Sequence, residues 1–216
     1  MGRAGKGVRL LALRRRVNAV QAFVVAGVLI FAPIGIMLFL SALSLPTTLP
    51  LYVYVLFPLL GLSTIPRGLY LWKRANHADQ GAAGEEAIEK LLMPLKRRGW
   101  HIEYGIRHRA VGDVDVFLIS PNRKAFTLDV KSHRGCVVSD GEKLYRLRGK
   151  TKSAFEKDFL AQAKKQAITM KQYKKLEFVS PCIVFSAAQV HLQKRKVNGV
   201  YVMDKTTLVS SLQKLG

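Results

Sequence analysis

Negative charge is scarce in this chain of 216 residues: 14 Asp and Glu stand against 35 Lys and Arg, for a net charge of +21. No acid falls in residues 1–66, and residues 17–66 carry no charge of either sign. A hydrophobic fraction of 49% excludes a basic disordered tail, so the composition averages an uncharged apolar part and a strongly basic one. Cysteine is equally sparse. Cys136 and Cys182 sit beside apolar residues (CVV, CIVF), which reads as two small buried hydrophobes and supplies no Cys pair for zinc. The five histidines lack metal-ligand spacing, and the glycine that a phosphate loop ending in Gly149-Lys150-Thr151 requires is replaced by Leu144. No G-x-S-x-G elbow occurs, and there is neither an internal repeat nor a low-complexity tract. Structural zinc, P-loop and serine-hydrolase chemistry are thereby set aside.

Long hydrophobic runs, by contrast, are present. Residues 17–43 form an apolar stretch of 27 residues, and a helix needs about 20 to cross a bilayer. A second stretch covers residues 49–66 and resumes past Arg67 to Trp72, with Tyr52, Tyr54, Tyr70 and Trp72 near its ends, where amphipathic rings favour the interface. The turn SLPTT, with Pro46 and Pro50, separates the two. The first run is too long for the h-region of a signal peptide, about 7–15 residues, and no A-x-A-like cleavage site is evident. A two-helix transmembrane hairpin is expected. Arg3, Lys6, Arg9, Arg14, Arg15 and Arg16 precede it, Arg67, Lys73 and Arg74 follow, and the turn carries no charge. The positive-inside rule then places both termini and the soluble part in the cytoplasm, with a multi-pass anchor in the plasma (inner) membrane. The expected division is a basic N-terminus at 1–16, the hairpin at 17–74, a linker at 75–82 (ANHADQGA) and a soluble domain at 83–216.

In the soluble part, residues 84–98 place Ile88, Leu91, Leu92 and Leu95 on one helical stripe, stopped by Gly99. WHIEYGIRH, DVDVFLIS and AFTLDVKS follow as strands, separated by RAVG and PNRK; CVVS and KLYRL form a hairpin around Asp140-Gly141. A long basic helix is expected at 153–175, strands at PCIVFSA and GVYVM, and a closing helix at 205–215. The fold class is α/β, a mixed central sheet flanked by helices.

Four places break this local pattern. In the strand around Thr127-Leu128-Asp129-Val130-Lys131, side chains alternate, so Asp129 and Lys131 share a face while Phe126, Leu128 and Val130 point into the core. The neighbouring strand brings Asp113 and Asp115 into an apolar run. On the first helix Glu85 is the acid nearest the buried stripe, although a first-turn anion is also favourable by itself. On the long helix Gln162 and Gln166 interrupt the row Phe155, Phe159, Met170, Tyr173, and buried amides need partners.

Gly81-x-x-Gly84-Glu85, Gly112-Asp113-Val114-Asp115, Asp129-x-Lys131 and then Gln162-Ala163 on a helix, in this order, resemble the NERD (nuclease-related) domain of the PD-(D/E)xK nuclease superfamily, over roughly residues 78–190. The resemblance implies a restriction-endonuclease-like fold and a catalytic set of Glu85, Asp115, Asp129 and Lys131, with Gln162 as an accessory. Asp129 stands where that family more often has Glu, and Asp113 is left as a turn or supporting residue. Hard oxygen donors from Asp115, Asp129 and Glu85 suit Mg²⁺ or Mn²⁺, and a lysine on the same face suits charge developing on a phosphate. His133, just past Lys131, is expected in a solvated loop.

Basic residues supply the field for a polyanion. Lys143, Arg146, Arg148, Lys150 and Lys152 alternate along the hairpin, which puts several on one face, and Lys157, Lys164, Lys165 and Lys171 continue along the helix. Nucleic acid, DNA above all, competes here with anionic membrane lipids as the partner. Arg146, Arg148, Lys150, Lys152, Lys164 and Lys165 are the candidate nucleic-acid contacts. Two functional readings follow: a membrane-anchored, metal-dependent nuclease cutting DNA, and a non-catalytic nucleic-acid-binding or adaptor module with the same fold. A basic lipid-binding membrane protein is a third, which leaves the acids inside apolar strands unexplained.

Overall fold

The computed structural model describes residues 6–45, 48–108 and 112–216. Arg3, Pro46, Thr47 and residues 109–111 of the expected RAVG turn lie outside the described residues. The chain divides into two units, residues 7–79 and a second made chiefly of residues 80–216.

The first unit is helical. α1 spans Lys6–Ala42, and α2, whose first part belongs to this unit, spans Leu51–Arg97. Small residues hold the two helices together. Ala12, Ala19 and Ala26 on α1, and Gly61, Gly68 and Ala75 on α2, recur every seven residues and are buried. A Cβ on Gly61 would meet the Ala26 carbonyl oxygen and Ile30 Cγ1 at 2.8 Å, and one on Gly68 would meet the Phe23 ring at 2.6 Å. Such close backbone approach is how helices pack where lipid removes the hydrophobic drive between them. Large apolar side chains face outward instead, with Phe31 65%, Phe39 66% and Leu51 80% exposed. Only 11% of either apolar window is buried, which is unlike the core helix of a soluble protein. Two apolar helices long enough to cross a membrane are therefore present, as the sequence led one to expect. Residues 75–82, expected as a linker, are helical throughout, because Ala75 and Ala82 continue the seven-residue phase of Gly61 and Gly68 into buried positions.

The second unit is α/β. Its strands are β1 His101–His108, β2 Gly112–Ile119, β3 Ala125–Ser139, β4 Leu144–Arg148, β5 Thr151–Ala154, β6 Val179–Val190, β7 Lys196–Val197 and β8 Val200–Asp204. They form one mixed sheet of eight strands in the order β1-β2-β3-β6-β8-β7, with β4 and β5 as a hairpin on β3. The β3–β6 and β6–β8 pairs are parallel and the others antiparallel. Helices cover both faces. Ile88, Leu92 and Leu95 of α2, and Leu208 and Leu212 of α4 (Leu208–Leu215), pack on Phe126 and Leu128. α3 (Phe159–Tyr173) covers the other face, with Phe159, Leu160 and Ala163 on Ile183 and Phe185.

Three boundaries differ from the sequence reading. AFTLDVKS and CVVS are one strand, carried past a β-bulge where Lys131 pairs with Phe185 but Arg134 with Ala187. The helix expected from residue 153 begins at Phe159, because Thr151–Ala154 pairs with β4 and the Asp158 carboxylate accepts the Ala161 N–H at 3.0 Å as an N-cap. The closing helix starts at Leu208, since Asp204 Oδ1 holds the N–H groups of Thr206 and Thr207, each at 3.0 Å.

Gly84 is where α2 meets the sheet: an added Cβ would lie 2.5 Å from Ser186 Oγ and 3.3 Å from Ser132 Cβ, whereas Gly81 has nothing within 4 Å. Gly84→Val should thus destabilise the chain by about 1–3 kcal/mol. Gly81→Ala should stabilise it by up to about 1 kcal/mol through helix propensity alone. Thermal unfolding of both variants in neutral detergent separates the two cases, and equal midpoints would remove the packing role given to Gly84.

Candidate active site

The polar face of β3 is built around a buried ion pair. Lys131 Nζ lies 2.7 Å from Asp129 Oδ2, and the side chains are 15% and 3% exposed. Such a pair is stable only when the remaining hydrogen-bonding capacity is met. Gln162 of α3 meets it from above: its Nε2 donates to Asp129 Oδ1 at 3.4 Å, and its Oε1 accepts from Lys131 Nζ at 3.2 Å. The ammonium also stands 4.7 Å from the centroid of the Phe159 ring, within cation–π range.

The second carboxylate enters through an opening in the sheet. β2 pairs with β3 only from Ile119↔Ala125 to Val116↔Leu128. One residue further, Asp115 Oδ2 accepts the Val130 N–H at 2.7 Å, so a side chain takes the place of a ladder bond. The same register position on β1 is Gly105, held at φ +61, a backbone conformation that glycine adopts without strain. Side-chain alternation slips here, for Val114 and Phe117, three residues apart, share one core cluster.

Burial, then the Asp129 charge, and also Glu85, push the Asp115 carboxyl up to about 8; the Val130 N–H and Lys131 oppose the shift. Asp129 is raised as well, by burial, against the pull of Lys131 and the Gln166 amide. Glu85, half-buried on α2 beside Gly84, thus acts on Asp115 from the helix side. Gln166 is 1% exposed and donates through Nε2 to the Asp113 carbonyl at 3.3 Å. Asp113 itself is exposed and lies 3.9 Å from Arg107 Nε, apart from the acids.

His133 departs from expectation. It is half-buried at the bulge rather than in a solvated loop, its ring 5.2 Å from that of Phe155 and 5.4 Å from that of Phe159. Burial, then Arg146 and Lys131, and also Arg148, hold its pKa below the usual imidazole range. The basic residues of the hairpin do not share one face. Arg146, opposite buried Val137, shares with Arg148 the side from which both act on His133, whereas Lys152 stands opposite Leu147 with its Nζ 4.0 Å from the centroid of the Tyr145 ring. Lys150 and Lys165 are exposed, and Lys164 donates to Asn198 Oδ1 at 2.8 Å. Two contributors lay outside the sequence reading: Ser186, which receives Gly84, and Gly105. A glycine inside a strand was the available signal for the latter.

Among the described residues, no group of three or more His, Cys, Asp or Glu side chains is arranged to hold a metal ion. The donor chemistry nonetheless fits a hard divalent cation, because burial, and after it the Asp129 and Glu85 charges, raise the pKa of Asp115, and a positive ion would offset both. Mg²⁺ typically uses one or two carboxylates and keeps several waters, so Asp115 and Asp129 would suffice as its protein ligands.

The raised pKa has a consequence for stability. A carboxyl near pKa 8 when folded, and about 4 when unfolded, holds its proton more tightly in the native state. Its contribution is complete below about pH 4 and is lost as pH rises through 8. In EDTA the thermal midpoint of the full chain should fall between about pH 5 and pH 8.5, and Asp115→Asn should flatten that slope. A wild-type slope in the variant would show that Asp115 titrates normally.

Residues 80–186 match the family model of the nuclease-related domain. No curated protein and no solved structure matches the chain. The matched segment opens at Gln80, whose amide donates to the Ser132 carbonyl at 2.7 Å, and closes at Ser186, against Gly84. It contains Glu85, Asp115, Asp129, Lys131 and Gln162, and with them the fold and this cluster belong to one unit: the chain carries a nuclease-related domain, NERD, at residues 80–186.

Proposed function

We propose that the protein is a membrane-anchored, metal-dependent nuclease that hydrolyses DNA phosphodiester bonds, its two apolar helices forming a transmembrane anchor and its second unit facing the cytoplasm. The observation that carries the reading is the buried Asp129–Lys131 ion pair at 2.7 Å, held by Gln162 at both ends, with the Asp115 carboxylate on the adjacent Val130 N–H at 2.7 Å; burial, then the Asp129 and Glu85 charges, push the Asp115 carboxyl up to about 8. Such perturbation marks sites where charge is meant to be neutralised by something that binds. Asp115 and Asp129, with Glu85 from the helix side, would hold Mg²⁺ or Mn²⁺, which supplies Lewis acidity toward the scissile phosphate and activates water.

The remaining work falls to the chain itself. The Lys131 ammonium, fixed by Asp129, Gln162 and the Phe159 ring, is aimed to stabilise negative charge growing on the phosphate. Gln162 keeps the lysine and the carboxylate in register. Arg146 and Arg148, on the side of the hairpin that acts on His133, bring positive charge to a strand lying across the site. Among these groups none is a reader of base edges, so recognition rests on backbone and shape.

Truncating Lys131 alone leaves Asp129 buried without its counter-charge, which confounds chemistry with folding. The paired variant Asp129→Asn/Lys131→Gln neutralises both. Full-length protein in phosphatidylcholine nanodiscs should nick plasmid DNA with Mg²⁺ or Mn²⁺ and not with EDTA. Lys131→Ala and the paired variant should each lose about 100-fold or more in rate, the paired variant with its thermal midpoint close to wild type. Cleavage unchanged in either variant refutes the assignment. Anchoring is tested separately: the chain should stay in the membrane pellet after alkaline carbonate extraction, and release into the supernatant would contradict a transmembrane hairpin.

A further inference from the structure

One cavity of about 250 Å³ beside the acidic cluster has no role in the scheme above; Lys143, Tyr145, Ala154, Phe155, Lys157 and Phe159 line it. Phe159 joins it to the site, because the ring that lines the cavity is the one 4.7 Å from Lys131 Nζ. Its aromatic wall is fixed. Phe155 packs on Phe159, His133 and Phe185 with ring centroids 4.9, 5.2 and 5.9 Å apart. Asp158 also lines the cavity, its carboxylate capping α3 at Ala161 N–H, while Asp140 accepts the N–H groups of Glu142 and Lys143 and the Tyr145 hydroxyl. Lys143 and Lys157 are exposed at the lining.

We propose that this cavity receives the base of an unpaired nucleotide from the DNA strand held at the acid–lysine site, an inference that rests on the nuclease reading. Phe155 offers the base an aromatic surface, and Lys143 and Lys157 meet the flanking phosphates. Aromatic stacking takes any base, since each has a π-face. A duplex keeps its bases paired and stacked, and presents one only by extruding it, at a cost of a few kcal/mol. The substrate is accordingly DNA with unpaired nucleotides, a single strand or a frayed or flapped end.

Fluorescence anisotropy in EDTA, with full-length protein in phosphatidylcholine nanodiscs, tests this with three probes of equal length: oligothymidylate, the same backbone made entirely of abasic residues, and a duplex. Wild type should bind oligothymidylate about tenfold more tightly than the abasic strand. Ala154→Trp, at an exposed position of β5 where an aromatic residue is tolerated, fills the cavity and should abolish that preference while leaving duplex binding unchanged. The exposed pair Lys143→Gln/Lys157→Gln should lower the slope of log Kd against log salt for oligothymidylate by about 1.4. Equal binding of the two strands by wild type, or a preference that survives Ala154→Trp, overturns the proposal. An unchanged salt slope overturns the lysine contacts. Failure of wild type to bind any of the three probes at low salt overturns the nuclease reading itself.

Discussion

Charges that have lost most of their water govern the architecture of residues 80–216. Asp129 and Lys131 neutralise each other at 2.7 Å, but Asp115 and Glu85 bring further negative charge to the same place. Unpaired, such groups would cost several kcal/mol each. Each departure from regular structure answers that cost. β2 leaves β3 so that Asp115 can take a backbone N–H, α3 carries amides in an otherwise apolar row, and a phenyl ring lies against the ammonium. Asp115, pushed up to about 8, keeps its proton near neutral pH, and a cation binding there would favour its charged form.

Around this acidic centre the protein is positive, and the structure divides that charge by location. Arg146 and Arg148 act on the side of His133 and the lysine, while Lys152 covers Tyr145 on the opposite face of the hairpin. The basic residues of the helical unit serve a different environment. Arg16 lies against Asp79 and over the Trp72 ring, and Arg74 over the Tyr70 ring, cation and aromatic together at the end of the apolar stretch. Such a pairing suits a membrane interface, where a ring with one wet edge and a long cationic side chain both find a suitable depth.

Much of this was legible in the residues because period carries geometry. The alternation from Phe126 to Lys131 was enough to put Asp129 and Lys131 on one face, and the stripe from Ile88 to Leu95 enough to give α2 its buried side. Other features lie in tertiary register and have no local signature. Nothing near Asp115 announces that its partner is the N–H of Val130, fifteen residues away, or that β2 parts from β3 there. The faces of Arg146 and Lys152 depend on which residues they oppose, Val137 of β3 and Leu147 of β4. Residues 75–82 look like a linker by composition, but helix is decided by burial of Ala75 and Ala82, a seven-residue phase visible only once Gly61 and Gly68 are seen as contacts. Asp158 was a readable cap. It was overlooked because the basic residues before it resemble a helix and in fact form the edge strand β5.

The missing side chain of Gly84 also fixes a length. A Cβ there would lie 2.5 Å from Ser186 Oγ and 3.3 Å from Ser132 Cβ, so glycine lets α2 come closer to β3 and β6 than any other residue would, and the next residue is Glu85. Its backbone therefore starts nearer the sheet than a side chain at position 84 would permit. A bulkier residue at position 84 would lengthen the reach from Glu85 to Asp115 without touching either carboxyl.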